Sequence, residues 1–114
     1  MAQRRDGKIV ASTICPLTTC MKLVGGAWTP DIIWQLSKGS RRFSELKMEI
    51  HGVSSKVLTQ RLRRLESYGI VSRQVLSSSP PSVEYSLTQL GSELKPAVES
   101  LVRVGEKLKQ IDQL

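Results

Sequence analysis

Only two cysteines, Cys15 and Cys20, and one histidine, His51, occur in 114 residues. Two thiols do not make a disulfide framework. Five positions apart on one helix they lie about 140° apart around its axis and are poorly placed to bond to each other. One imidazole with no second cysteine pair leaves a structural zinc site without ligands, so no metal is expected. No run of about 18 apolar residues exists, which removes a transmembrane helix. The stretch MAQRRDGKIV has basic residues but no apolar segment of a secretory signal. A cytoplasmic protein without a membrane partner is expected. Paired carboxylates, a glycine-rich phosphate loop and a nucleophile beside a base are all lacking, which disfavours an enzyme and any cofactor. Aromatics make up 4% of the chain, so Trp28 and Trp34 are expected as core anchors rather than as a stacking platform.

What remains is a chain of one domain's length, 39% apolar and 24% charged, ordinary values for a globular fold. Its net charge of +7 is unevenly spread. Residues 41–73 hold eight basic side chains against three acidic ones, which accounts for five of the seven charges. A local excess of this kind suits a polyanion.

The same region has an internal pattern. Ser44 to about Ile50 reads as a short helix, His51-Gly52-Val53 as a tight turn, and Ser54 to about Tyr68 as a longer helix. Two strands follow from Val71 to Tyr85. Two helices joined by a short Gly-containing turn form a helix-turn-helix, whose second helix enters the DNA major groove, and the hairpin would be a wing. At about 100° per residue Leu58, Leu62 and Leu65 share one side of the longer helix, with Ser54 and Arg61 at its margin. Lys56, Thr59, Gln60, Arg63, Arg64 and Ser67 share the other, uninterrupted by an acid. Lys56, Gln60 and Arg63 are the expected base readers, since glutamine pairs with adenine and arginine or lysine with guanine. Arg41, Arg42, Arg64 and Arg73 suit phosphates, as do Ser54 and Ser78, the latter in the Ser77-Ser78-Ser79-Pro80-Pro81 loop between the strands.

Residues 1–13 lack periodicity and are expected to form a mobile arm ahead of a domain over 14–114. Leu17, Cys20, Met21 and Val24 then mark a short amphipathic helix, begun by Pro16 and ended by Gly25 and Gly26. Thr29 is the expected N-cap of the next helix, with Pro30 at its first position and Asp31 favoured by the dipole. Ile32, Ile33, Trp34 and Leu36 supply its apolar face. Phe43, a Ser44 N-cap and Met48 fit a hydrophobic staple.

Thr88 is expected to cap one long helix over 88–112, kinked at Pro96. Leu90, Leu94, Ala97, Leu101, Val104, Leu108 and Ile111 recur with alternating four- and three-residue spacing, the seam of paired helices. Val98 and Val102 widen the stripe beyond what one small domain covers. A dimer interface shared with the N-terminal helix is expected, centred on Leu94, Leu101, Val104, Leu108 and Ile111. The expected fold is therefore mainly α with a small antiparallel β-hairpin wing, a winged helix-turn-helix dimerising through its N- and C-terminal helices.

These segments together resemble the HxlR-type winged-helix transcriptional regulators, relatives of the MarR group. The resemblance is carried by Cys15-Pro16, Gly25-Gly26-Ala27-Trp28, Ile32-Ile33-Trp34-Gln35-Leu36, Arg42-Phe43-Ser44-Glu45-Leu46 and Val57 through Leu65. It continues with Gly69-Ile70-Val71-Ser72-Arg73, Pro81 through Thr88, and Leu90-Gly91. The chain departs from the pattern at Ala27, usually lysine, and at Val104, often tryptophan. The resemblance implies a homodimeric repressor or activator with Ser55, Lys56, Thr59, Gln60 and Arg63 at the groove. Some relatives sense oxidants or electrophiles through a cysteine at the position of Cys15. A thiolate there is favoured by the helix dipole and the free N–H groups of a helix start. The bland alternative is a small apolar residue, the role expected of Cys20.

The expected function is thus a dimer that reads a near-palindromic DNA duplex, its recognition helices about 34 Å apart in successive major grooves, with an oxidant or small molecule as candidate effector. The competing readings are a winged-helix module that binds a protein through its seam helix and a nonspecific, architectural DNA binder. The bare basic face disfavours the first.

Overall fold

A computed structural model describes residues 14–112. The expected arm over residues 1–13 lies outside them. The described chain runs α1 (Pro16–Val24), α2 (Thr29–Ser37), β1 (Arg41–Arg42), α3 (Phe43–Glu49), α4 (Ser55–Ser67), β2 (Val71–Leu76), β3 (Ser82–Leu87), α5 (Gln89–Ser92) and α6 (Lys95–Asp112). The strands form one antiparallel sheet in the order β1-β3-β2. The architecture is a mainly α winged helix-turn-helix.

Two helix starts differ from expectation. The first helical bond of α2 runs from the Ile32 N–H to the Trp28 carbonyl at 3.0 Å, so Trp28, not Thr29, is the N-cap. Trp28 takes a left-handed backbone (φ 76°) as the chain reverses out of the glycine pair, and Thr29 is buried. Ser44 is not the cap of α3 either. Arg41 and Arg42 are held extended against Tyr85 and Glu84 of β3, and the helix begins directly after them with Arg42 as N-cap. Glu45 accepts the Arg42 N–H at 2.7 Å, which satisfies a donor the helix start leaves open. Phe43 therefore lies inside the helix, and Met48 is 77% exposed, so no staple forms.

The C-terminal helix is two helices. Thr88 does cap, its Oγ1 accepting the Gly91 N–H at 3.0 Å, but α5 stops at Ser92 and α6 begins at Lys95. Pro96 falls in the first turn of α6, where a missing N–H breaks no helical bond, so the kink expected at Pro96 is replaced by a break just before it. Gly91 lets α5 pack closely on the start of the wing. A side-chain carbon there would stand 2.1 Å from the Ile70 carbonyl oxygen.

Around these turns sits one core. Ile32, Ile33 and Leu36 of α2, Leu46 of α3, Leu58, Leu62 and Leu65 of α4, Val71, Tyr85 and Val98 are buried together. The phase expected for α4 thus holds. Ser54 caps it, accepting the Val57 N–H at 3.1 Å. In the preceding turn Gly52 has φ +89°, a conformation that disfavours any side chain, with the Trp28 ring packed over it.

Candidate nucleic-acid interface

Burial of the three leucines turns the opposite side of α4 outward. Ser55, Lys56, Gln60 and Arg63 are exposed and Thr59 is half-buried. At 13 residues the helix is about 20 Å long, a length that lies along a major groove about 12 Å wide. The wing stands beside it. Arg73 of β2 pairs in register with Tyr85 of β3, and its side chain meets α4 across an open cleft of about 470 Å³ lined by Phe43, Thr59, Arg63, Glu66, Arg73 and Tyr85. The Arg63 and Arg73 guanidinium groups border it with the hydroxyl-bearing Thr59 and Tyr85, donors suited to phosphates and base edges. Glu66 shares this cleft, so the acid-free face expected for α4 ends at its wing-side border. Its place on the Thr59, Arg63, Glu66 stripe was legible from helix phase. That the wing folds against that stripe was not.

The expected phosphate residues divide. Arg42 and Ser78 are exposed at the wing's end of the molecule; Arg42 borders a shallow groove with Pro81, Ser82 and Val83, and the Ser78 hydroxyl donates to the Pro80 carbonyl at 2.7 Å. Ser54 is exposed and its oxygen accepts at the helix cap. Arg41 is engaged by the protein itself: its Nε lies 3.1 Å from both carboxylate oxygens of Glu49, and its Nη1 donates to the Ser40 carbonyl at 3.0 Å. Arg64 is likewise engaged, Nη2 donating to the Lys22 carbonyl in the last turn of α1 at 2.8 Å. Both arginines were expected at phosphates; the Lys22 carbonyl, 42 positions from Arg64, leaves no local signal in the sequence. His51 is exposed in the turn and belongs to a small recess with Trp28, Asp31 and Glu49. Among the described residues no group of three or more metal-ligating side chains gathers, and no helix is long and apolar enough to cross a membrane.

A second surface faces elsewhere. Leu101, Val104, Leu108 and Ile111 of α6 are all more than half exposed, whereas Val98 is buried and Leu94 and Val102 pack on the core. Leu17, Cys20 and Met21 of α1, with Ala97 and Leu101 of α6, line an apolar groove of about 310 Å³. Cys15 is the N-cap of α1, exposed and unbonded to Cys20.

The comparisons with known proteins agree with this geometry. The family model described as HxlR-like helix-turn-helix matches residues 23–113. YdeP of Bacillus subtilis, an HTH-type transcriptional regulator, is 38% identical over 101 residues, covering 88% of this chain and 79% of YdeP. Among solved structures, the redox regulator HypR in its oxidized form superposes with a TM-score of 0.78 at 36% identity, over 82% of this chain and 96% of HypR. Diamide-treated YodB of B. subtilis does so with a TM-score of 0.69 at 34% identity, over 83% of this chain and 95% of YodB. The chain belongs to the HxlR-like helix-turn-helix family and is a winged helix-turn-helix transcriptional regulator.

Proposed function

We propose that this regulator acts as a homodimer that reads a near-palindromic DNA duplex, with α4 in the major groove and the wing along the backbone. The observation that carries the reading is the exposed Lys56, Gln60 and Arg63 face of α4 set against Arg73 of the wing. Ser55, Lys56, Thr59, Gln60 and Arg63 take the base edges. Arg42, Ser54, Arg73 and Ser78 take phosphates, whereas the internal bonds of Arg41 and Arg64 favour structural work for those two. The exposed seam of α6 and the open face of α1 support a two-fold interface, which presents each residue twice. Cys15 is the sensor we assign, at the exposed start of a helix. Two similar structures lend support, since one is named a redox regulator in its oxidized form and the other was treated with diamide, a thiol oxidant.

Fluorescence anisotropy with the duplex upstream of the protein's own gene and a shuffled duplex, at two salt concentrations, tests the reading. Discrimination that persists at the higher salt is expected, because base contacts do not release counterions. In Gln60→Ala the preferred duplex should lose about 1–3 kcal/mol and the shuffled one little; in Arg73→Ala both should weaken alike. Equal, salt-sensitive binding to both duplexes by the wild type would make the protein a nonspecific binder instead.

A further inference from the structure

Helix α1 is held to the rest of the domain by little. None of its nine residues is buried, and of its last turn Leu23 and Val24 pack against the core. The carbonyls at a helix end have no partner within the helix. That of Met21 is met by the Gly25 N–H at 2.8 Å. That of Lys22 is met by the Arg64 guanidinium of α4, across 42 positions of sequence, at 2.8 Å. The bond is charge-assisted and puts a cation at the negative end of the α1 dipole. One turn earlier on the same side of α4, Arg61 directs its Nε toward the Ala27 carbonyl in the connection between α1 and α2, at 3.4 Å. The recognition helix therefore holds the end of α1 through Arg64, a side chain that a search for DNA contacts would assign to a phosphate, and the connection after α1 through Arg61.

We propose that Arg64 is a positioning residue for DNA recognition. By capping α1, which forms one wall of the apolar groove beside α6, it fixes the recognition helix relative to the dimer axis and so sets the separation of the two recognition helices. The proposal rests on the dimeric DNA-reading function above. It differs from a phosphate contact in what its loss changes, namely geometry rather than the number of neutralised phosphates.

The experiment uses a duplex selected by the wild-type protein from a random pool, and the same duplex with two base pairs inserted at its centre. The insertion moves the half-sites about 7 Å apart and rotates them by about 70°. The wild type should lose at least about tenfold in affinity on insertion. Arg64→Gln should bind the selected duplex more weakly yet lose less than about threefold on insertion, with an unchanged slope of log affinity against log salt. Amides at the end of α1 should exchange faster in this variant while those of α4 do not, which separates a freed α1 from general unfolding. Arg64→Lys, which keeps a cation in reach of the carbonyl, should restore the insertion penalty. A slope shallower by about 0.9 per lost contact with the full insertion penalty retained would overturn the proposal and make Arg64 a phosphate contact. Unchanged binding and exchange in Arg64→Gln would also overturn it. A wild type that selects no duplex would overturn the DNA-reading function itself, and a result confined to Arg64→Gln would leave that function standing.

Discussion

Truncating Leu101 should weaken the dimer and leave the protomer intact. Leu101 is 63% exposed on α6. Burying an entire leucine side chain is worth about 1.5–3 kcal/mol, so roughly two thirds of that, about 1–2 kcal/mol, is still available to a partner. Leu101→Ala gives up about 1 kcal/mol of it per protomer. A two-fold interface counts the loss twice, about 2 kcal/mol, or about thirtyfold in the dissociation constant. Sedimentation equilibrium over a concentration series reads this directly. The protomer's own unfolding, followed at concentrations below dissociation, should hardly move, because Leu101 contributes little to the core. Val98→Ala is the contrast: that side chain is 8% exposed and its truncation should cost the protomer about 1.5 kcal/mol. An association constant unchanged in Leu101→Ala, or a protomer destabilised as much as by Val98→Ala, would refute the assignment of this stripe to the dimer.

Two further outcomes follow from the geometry. Gly91→Ala drives a methyl against the Ile70 carbonyl, and rearranging the junction between the wing and α5 should lower the thermal midpoint by several degrees, seen by circular dichroism. Diamide should change duplex binding by the wild type and by Cys20→Ser but not by Cys15→Ser; an oxidant effect that survives in Cys15→Ser and disappears in Cys20→Ser would move the sensor to the apolar groove.

Much of this protein was legible without its structure, for reasons that lie in local physics. The phase of Leu58, Leu62 and Leu65 fixes which side of α4 is buried, and therefore that Lys56, Gln60 and Arg63 face outward. Gly52 and Gly69 adopt positive φ at the two ends of that helix region, and the Pro80-Pro81 pair separates two six-residue strands. Each of these signals is written within a few residues of where it acts. Strand β1 was not legible, because two residues carry no periodicity and Arg41-Arg42 is extended only by pairing with β3, more than forty positions away. For the same reason the start of α3 moved from Ser44 to Arg42.

The amino-acid sequence alone determined the helix-turn-helix, the wing, the basic face and the apolar seam, since charge and hydrophobic period are properties of neighbouring residues. Only the tertiary structure decided which arginines remain outward. Arg41 turns to Glu49 and Arg64 to the Lys22 carbonyl, while Arg63 and Arg73 line an open cleft that Glu66 also borders. A cation's partner is chosen by whatever oxygen the fold brings near, and that choice is made in three dimensions.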